Sequence, residues 1–524
     1  MRETPEKNRT MAFELETAPN PGSLRRVAID PVSRVEGHGK VTLLLDEHNR
    51  VQQARLHIVE FRGFEKFIEG RPYWEVPVMV QRLCGICPVS HHLAASKAFD
   101  RVVGAMPITA SAEKIRRLMH YGQVMQSNAL HFFHLSSPDL LFGFDSEVNR
   151  RNIMGVAERH PDIARKGVLL RKFGQEVIRA TAGKRVHGTG SVPGGVNKHV
   201  SANDHALLKA DLGQMRDFAQ DAVAIARQLH AQNPALYDHF GAFRSSMMSL
   251  VAADGAMELY DGDLRVRDAS GAIVVDHVPD QDYLDLIEEE VRPWTYMKFP
   301  YLRRLGPDTG WYRVGPLARV QNCDYIGTPL AERERREFVA WGRGEPIHAT
   351  LAYHWARMIE VLHTIEVIAQ LLDDPDILHG ERLAGDPARA QRHANGEREG
   401  IGVIEAPRGT LIHHYRVGDN DLVTMCNLIV STTHNNQAMN EAVRSVARQY
   451  FDGREITEGL LNHIEVAIRA YDPCLSCATH ALGQMPLDVV LLDADGSAAD
   501  HVVRAHTGEW SRPQAAAVTA PVAR

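Results

Sequence analysis

Asp472-Pro473-Cys474-Leu475-Ser476-Cys477-Ala478-Thr479-His480 is the stretch on which the reading of this chain turns. A counterpart, Cys84-Gly85-Ile86-Cys87 followed by His91, stands 390 residues upstream, and together they use four of the six cysteines. Two thiols spaced Cys-x-x-Cys hold a metal ion from one side, so two such clips make a four-thiolate site. Spacing alone leaves the metal open. Structural zinc is the commonest use of paired clips, yet zinc ribbons separate their halves by about 15–20 residues and serve small domains that lack core. A thioredoxin-like redox pair needs only one clip, and c-type haem attachment needs histidine directly after the second cysteine, where Pro88 stands.

The rest of the chain has the composition of an ordinary globular protein, 44% hydrophobic and 24% charged. Its 524 residues exceed the roughly 250–300 that one simple core sustains, so a large irregular domain or subdomains are expected. A formal charge of −7 argues against a nucleic-acid surface. No apolar run approaches the ~20 residues of a membrane span, and the start carries no secretory or twin-arginine signal. Cytoplasm is the expectation, with the cysteines as metal ligands in a reducing compartment rather than a disulfide framework.

Residues 1–25 are polar and read as a mobile arm. Val27–Ile29, Lys40–Leu45 and Val51–Val59, with a turn at Asp46–Arg50, predict an antiparallel sheet. Helical periodicity predicts Ser90–Val103, Ser111–Leu135, Pro161–Ala182 and Asn203–Gln232, with Ser136-Ser137-Pro138-Asp139 ending the second. Gly183–Asn197 is a glycine-rich loop without a nucleotide-binding signature. Short strands and turns fill about Ala242–Arg343, and His348–Leu372 reads as a strong amphipathic helix. Glu399–Tyr415 reads as strand, turn, strand, and His434–Tyr450 and Glu455–Tyr471 as two more helices, the last leading into the second clip. Cys323 and Cys426, without clip partners, read as core residues.

The sequence around the clips goes further. Arg82-Leu83-Cys84-Gly85-Ile86-Cys87-Pro88-Val89-Ser90-His91-His92 and Asp472-Pro473-Cys474-x-x-Cys477-x-x-His480 resemble the two signature motifs of [NiFe]-hydrogenase large subunits. So do Arg34-Val35-Glu36-Gly37-His38, Phe61-Arg62-Gly63-Phe64-Glu65 and Glu405-Ala406-Pro407-Arg408-Gly409, in the family's order from about Ile29 to His480. Gly315-Pro316-Leu317-Ala318-Arg319 and His131-Phe132-Phe133-His134-Leu135 look like its cytoplasmic NAD(P)-linked branch. The resemblance implies an α+β, predominantly helical fold: an N-terminal antiparallel sheet, a central bundle of long helices and a C-terminal mixed part.

It also implies roles. Cys84 and Cys474 are terminal nickel ligands, and Cys87 and Cys477 bridge nickel to an iron carrying CO and two cyanides; soft thiolates suit redox-active nickel. Arg408, next to Pro407, sits over the open site, where a guanidinium can polarise H2, take a proton or meet cyanide. Glu36 relays a proton outward from a cysteine thiol, here Cys474. Glu65, the main chain at Leu428 and His480 help bind a second ion, magnesium or another divalent metal. Thr432 donates to a cyanide, His91 to a cysteine sulfur, and Asp472 pairs with Arg408. Membrane-bound relatives have an acid before the His-Phe-x-His stretch, where this chain has Gln126-Ser127-Asn128.

Four thiols spent on one site leave no cysteine supply for iron–sulfur clusters, and no dinucleotide fingerprint is present. The implied partners are a small subunit with Fe–S clusters, diaphorase-type subunits holding FMN and NAD(P), a maturation protease and nickel-insertion proteins. The expected organisation is an arm at 1–25, one catalytic domain at 26–480 and an extension at 481–524 removed on maturation. The function implied is reversible H2 cleavage with electrons passed through partners to NAD(P). The alternative is a regulatory H2 sensor, a class that generally lacks such an extension.

Overall fold

Period-two alternation from Arg25 to Ile58 closes the expected N-terminal sheet in the computed structural model, which describes residues 15–385, 392–393, 395–479, 487–492, 498–504 and 509–512. Strands β1 (Arg25–Ile29), β2 (Gly39–Leu45) and β3 (Val51–Ile58) pair antiparallel, Val27 facing Leu43 and Leu43 facing Ala54. Asp46 builds the turn between β2 and β3, its carboxylate accepting from the N–H of His48 and of Arg50, both at 2.9 Å. Part of the N-terminal arm is anchored: Leu15 O accepts from Ala54 N at 2.8 Å, and Glu16 pairs with Arg292. Between β1 and β2 the chain bends back at Arg34 (φ 55°) and Gly37 (φ 83°). A Cβ on Gly37 would lie 2.6 Å from Ser476 N, so only glycine lets this bend touch the second clip.

The central layer is helical. Helix α1 (Phe64–Ile68) is short; α2 (Pro88–Val102), α3 (Ala110–Leu130), α4 (Pro161–Ala182) and α5 (Ala202–Gln232) follow. Thr109 caps α3 by accepting from Ala112 N, and Pro88 and Pro161 occupy first turns, where their missing N–H costs nothing. The stop predicted at Ser136–Asp139 is absent. After Leu130 the chain widens into a π-helical turn, His131–Ser136, and resumes as a helix over Ser137–Phe142 until Gly143 at φ 91°. Pro138 opens that new segment, so it continues the rod, and Ser137 Oγ bonds back to Phe133 O at 2.7 Å.

The middle stretch holds a four-stranded sheet, Ser246–Val251, Asp263–Arg267, Ile273–Val278 and Tyr312–Arg313 (β4 to β7), with helices α6 (Pro316–Asn322) and α7 (Pro329–Trp341). The charged Glu332–Glu337 run hides α7 from a periodicity reading, although Phe338 and Ala331 are buried. Helix α8 (Ala352–Asp373) crosses the core. Strands β8 (Arg398–Ala406), β9 (Gly409–Val417) and β10 (Val423–Ile429) form an antiparallel sheet that packs on α2. Helices α9 (Asn436–Tyr450) and α10 (Glu458–Ala470) lead to the second clip. Beyond it, Leu487–Leu492, Ala498–Arg504 and Trp510–Ser511 (β11 to β13) pair as a small sheet. Among the described residues no helix is long and apolar enough to cross a membrane.

Candidate metal centre

Cys84 ends the 3-10 turn Val80–Leu83 and Cys87 caps α2, so a change of helix type splays the first clip. Cys84 Sγ accepts from the N–H of Ile86 at 3.2 Å and of Cys87 at 3.3 Å, donors that favour a thiolate. The second clip follows α10 through Asp472, whose φ of 53° turns the chain, and Cys474 N donates to Thr432 Oγ1 at 2.9 Å. The four sulfurs converge within 4.8 Å of one another, all buried, with Cys84 to Cys474 at 3.3 Å and Cys87 to Cys477 at 3.9 Å. All are free thiols. Hydrogen bonds from Cys474, Cys477 and Cys87 hold Cys84 well below an ordinary thiol, whereas burial pushes Cys474 and Cys477 well above it. Such a set reaches full deprotonation only against a metal charge, and its soft donors fit nickel or iron.

Arg408 lies at the tip of the β8–β9 hairpin and is 4% exposed. Its Nε donates to Asp472 O and its Nη2 to Asp472 Oδ1 at 3.0 Å. Nη1 is buried without a hydrogen-bond partner among the described residues, and Arg408 lines a small cavity with Pro407, Thr432, His91, Cys87 and Cys474. A buried donor left over beside the sulfurs is what a ligand on the metal would satisfy. Burial works to lower this guanidinium's pKa, but Asp472 and the Cys474, Cys87 and Cys84 sulfurs outweigh it and raise it well above the usual value. A guanidinium held there is placed to polarise or hydrogen-bond what the sulfurs hold. Gln126 Nε2 donates to Ile86 O at 2.7 Å and so braces the first clip.

Glu36 comes from the β1–β2 bend. It bridges to Cys474 in the manner of a parallel strand, with Leu475 N on Glu36 O at 2.9 Å. Its Oε2 accepts from Cys474 Sγ at 3.0 Å and from Ser476 N at 3.2 Å, and Ser476 Oγ bonds Oε1. His91 Nδ1 pairs with His413 Nε2 at 3.1 Å, and burial takes His91 down to about 4, leaving it neutral. Glu65 reaches Leu428, although the contact is to its N–H, at 2.9 Å, rather than its carbonyl. Burial raises the Glu65 pKa, while Lys298, paired with Glu289 at 3.0 Å, opposes that shift. His480 lies outside the described residues; Thr479 O accepts from Arg62 N at 3.0 Å, which brings the end of the second clip to the Glu65 segment.

Several contributors meet through contacts that no spacing in the sequence announces. Arg319 on α6, Glu360 on α8 and Glu405 on β8 form a fully buried ion triad beneath Arg408. The glycine-rich loop holds the first clip from outside, His187 Nε2 meeting Cys84 O at 3.2 Å and Gln81 Nε2 donating to Gly188 O at 2.8 Å. Cys323 and Cys426 are buried away from the four-sulfur group, and burial pushes Cys323 up to about 12.

Known proteins agree with this geometry. A HoxL-like family profile matches residues 26–61 and the nickel-dependent hydrogenase profile matches 62–142 and 266–480. The NAD-reducing hydrogenase HoxS subunit beta of Cupriavidus necator is 48% identical over 494 residues, 92% of this chain and all of its own length. An F420-non-reducing hydrogenase chain of Methanothermobacter marburgensis is 39% identical over 90% of this chain and 98% of its own. A crystal structure of an NAD+-reducing [NiFe]-hydrogenase in the H2-reduced state superposes with a TM-score of 0.84 at 57% identity, covering 87% of this chain and 99% of that one. The Ni-Fe-Se hydrogenase of D. vulgaris Hildenborough shares the fold at 22% identity, with a TM-score of 0.69 over 87% of this chain and all of its own. With its four buried sulfurs in the matched segments, the chain belongs to the nickel-dependent hydrogenase family, as a [NiFe]-hydrogenase large subunit.

Proposed function

We propose that this chain is the catalytic subunit of a cytoplasmic, bidirectional NAD(P)-linked [NiFe]-hydrogenase, holding nickel and an iron with CO and two cyanides between its clips. The single observation that carries this is the convergence of four buried sulfurs on a cavity where Arg408 presents an unpartnered donor and Glu36 touches Cys474 Sγ. Cys84, Cys87, Cys474 and Cys477 would together hold the two metals. When bound, the two metals supply the Lewis-acid and redox chemistry that splits H2 heterolytically and carries its electrons.

The protein's own share is positional and protonic. Arg408, fixed by Asp472, would offer its free N–H to a ligand on the metals and would add positive charge beside the four sulfurs. Thr432 Oγ1 accepts from Cys474 N, which leaves its hydroxyl proton free to donate to a ligand that the metals would carry. Glu36 takes a proton from Cys474 and passes it outward. Glu65 and Leu428, with His480, would hold a magnesium or similar ion, which relieves the cost of burying the Glu65 carboxylate.

Electrons would leave through a small subunit carrying Fe–S clusters to diaphorase-type subunits with FMN and NAD(P). The likeness to the Cupriavidus necator chain, an NAD-reducing enzyme's subunit, supports that linkage. A maturation protease acting with nickel-insertion proteins would remove 481–524. Metal analysis with infrared spectroscopy on the purified protein tests the reading. Nickel and iron in equal amounts with CO and cyanide stretches are expected, and zinc alone would sink it.

A further inference from the structure

The hairpin tip that carries Arg408 is gripped by a second arginine, and we propose that this residue, Arg319, sets where Arg408 stands over the metal centre. The proposal rests on the reading of Arg408 given above. Strands β8 and β9 pair through Ala406 and Gly409, so Pro407 and Arg408 alone make the turn. Two-residue hairpins favour turns with positive φ at one or both central positions, because that twist matches the strands. Proline's ring holds φ near −65°, and Arg408 is not among the residues of positive φ. The turn is therefore of the hand that splays its strands. It is also buried, out of reach of water that would otherwise satisfy its carbonyls. Something outside the hairpin must hold it.

Arg319 does so with its whole guanidinium. Nε donates to Glu360 Oε1 at 2.6 Å and Nη2 to Glu360 Oε2 at 2.7 Å, a bidentate pair. Nη1 donates to Glu405 Oε2 and to Ala406 O, both at 2.8 Å, and Nη2 to Pro407 O at 3.1 Å. All five donor directions of the fork are used. The Pro407 carbonyl belongs to the central peptide of the turn, the one whose rotation separates turn types. Holding that carbonyl fixes the Arg408 N–H on the same plane, and with it the direction of the Arg408 side chain. Glu405 is itself tied by Leu250 N at 3.0 Å and Thr410 Oγ1 at 2.7 Å, so the grip reaches both strands and the neighbouring sheet. Lysine keeps the charge and loses the fork, and so cannot reproduce this contact set. Arg319 is a positioning residue; it touches neither sulfur nor cavity.

The test uses the purified hydrogenase complex with Arg319→Lys, Glu360→Gln and, as reference, Arg408→Lys. Nickel content, thermal midpoint, cyanide stretching frequencies and H2 turnover per nickel are measured on each. For Arg319→Lys the loaded fraction should show shifted cyanide bands, and turnover per nickel should fall roughly 10²-fold, the order expected when a reacting-site group moves by about 1 Å. A merely structural arginine would lower nickel content and midpoint yet leave the bands and the turnover of the loaded fraction unchanged, and that result overturns the proposal. If Arg319→Lys does not fold, Glu360→Gln decides on the same readouts: moved bands with a several-fold loss support it, and unchanged bands and turnover overturn it. Normal turnover in Arg408→Lys would overturn the underlying role of Arg408. Loss there, with Arg319→Lys unaffected, would remove the positioning role alone.

Discussion

Glu36→Gln separates what the β1–β2 bend does chemically from what it does structurally. Glutamine has the shape of the residue it replaces. Ser476 Oγ can still donate to the amide oxygen in the Oε1 position, the amide NH2 in the Oε2 position gives up the 3.2 Å bond from Ser476 N, and the Leu475 N to Glu36 O bond at 2.9 Å is main chain and survives. The clip and its metals should therefore stay. What goes is the capacity to take a proton across the 3.0 Å contact with Cys474 Sγ. No other carboxylate or imidazole hydrogen-bonds that sulfur among the described residues. General acid–base groups contribute about 10²–10⁴ in rate, roughly 3–5 kcal/mol of barrier. We expect H2-driven dye reduction per nickel to fall by at least about 10²-fold. Isotope exchange between D2 and water should fall in parallel, because it uses the same exit. Dye turnover keeps the NAD(P) partners out of the measurement. Turnover per nickel within about three-fold of the parent, well short of any general acid–base contribution, would refute the relay.

Three further outcomes are expected. Asp139→Asn should destabilise the chain by about 3 kcal/mol in urea unfolding, because it leaves Arg469 (3.0 Å) and Arg34 (2.6 Å) facing a neutral amide. Burial alone would raise the Asp139 pKa, but Arg469 and Arg34 hold it below the ordinary 3.8, so its stabilisation exists above that value and is lost as pH falls below about 4; the variant should lack that part of the acid limb, and an unchanged limb would refute the assignment. Cys477→Ser should abolish nickel uptake in elemental analysis while Cys323→Ser, away from the four-sulfur group, retains it; equal loss in both would mean that Cys323 has a role at the centre. Intact-mass spectrometry of active, nickel-loaded protein should find a chain ending at His480, and full activity with 481–524 still attached would overturn the processing proposal.

The clips, the sheet and the long helices were legible because each depends on residues close in sequence: ligand spacing for Cys84 and Cys87, alternation for β2 and β3, helical periodicity for α3. The contacts that aim those parts were not legible. Glu36 meets Cys474, and Arg319 meets Glu360 and Ala406, across long sequence separations that leave no local period. Helix α8 shows the difference most clearly. His354, Arg357, Glu360 and His363 recur every three residues, and that stripe makes the segment read as an amphipathic helix with a wet face. The helix is real, but all four side chains are at most 3% exposed. His354 stacks on His131 of the π-helical turn at 5.6 Å, Arg357 donates to Ala470 O at 3.0 Å beside the second clip, and Glu360 grips Arg319. Periodicity reports that two faces differ; it does not report which one water touches. In a chain of this size a polar stripe can face inward when its partners are buried charges from other elements, and here those partners lead to Arg408 and the four sulfurs. The inverted stripe of α8 is itself a pointer to the centre, because buried ionic groups are kept only where each is paired and held in place.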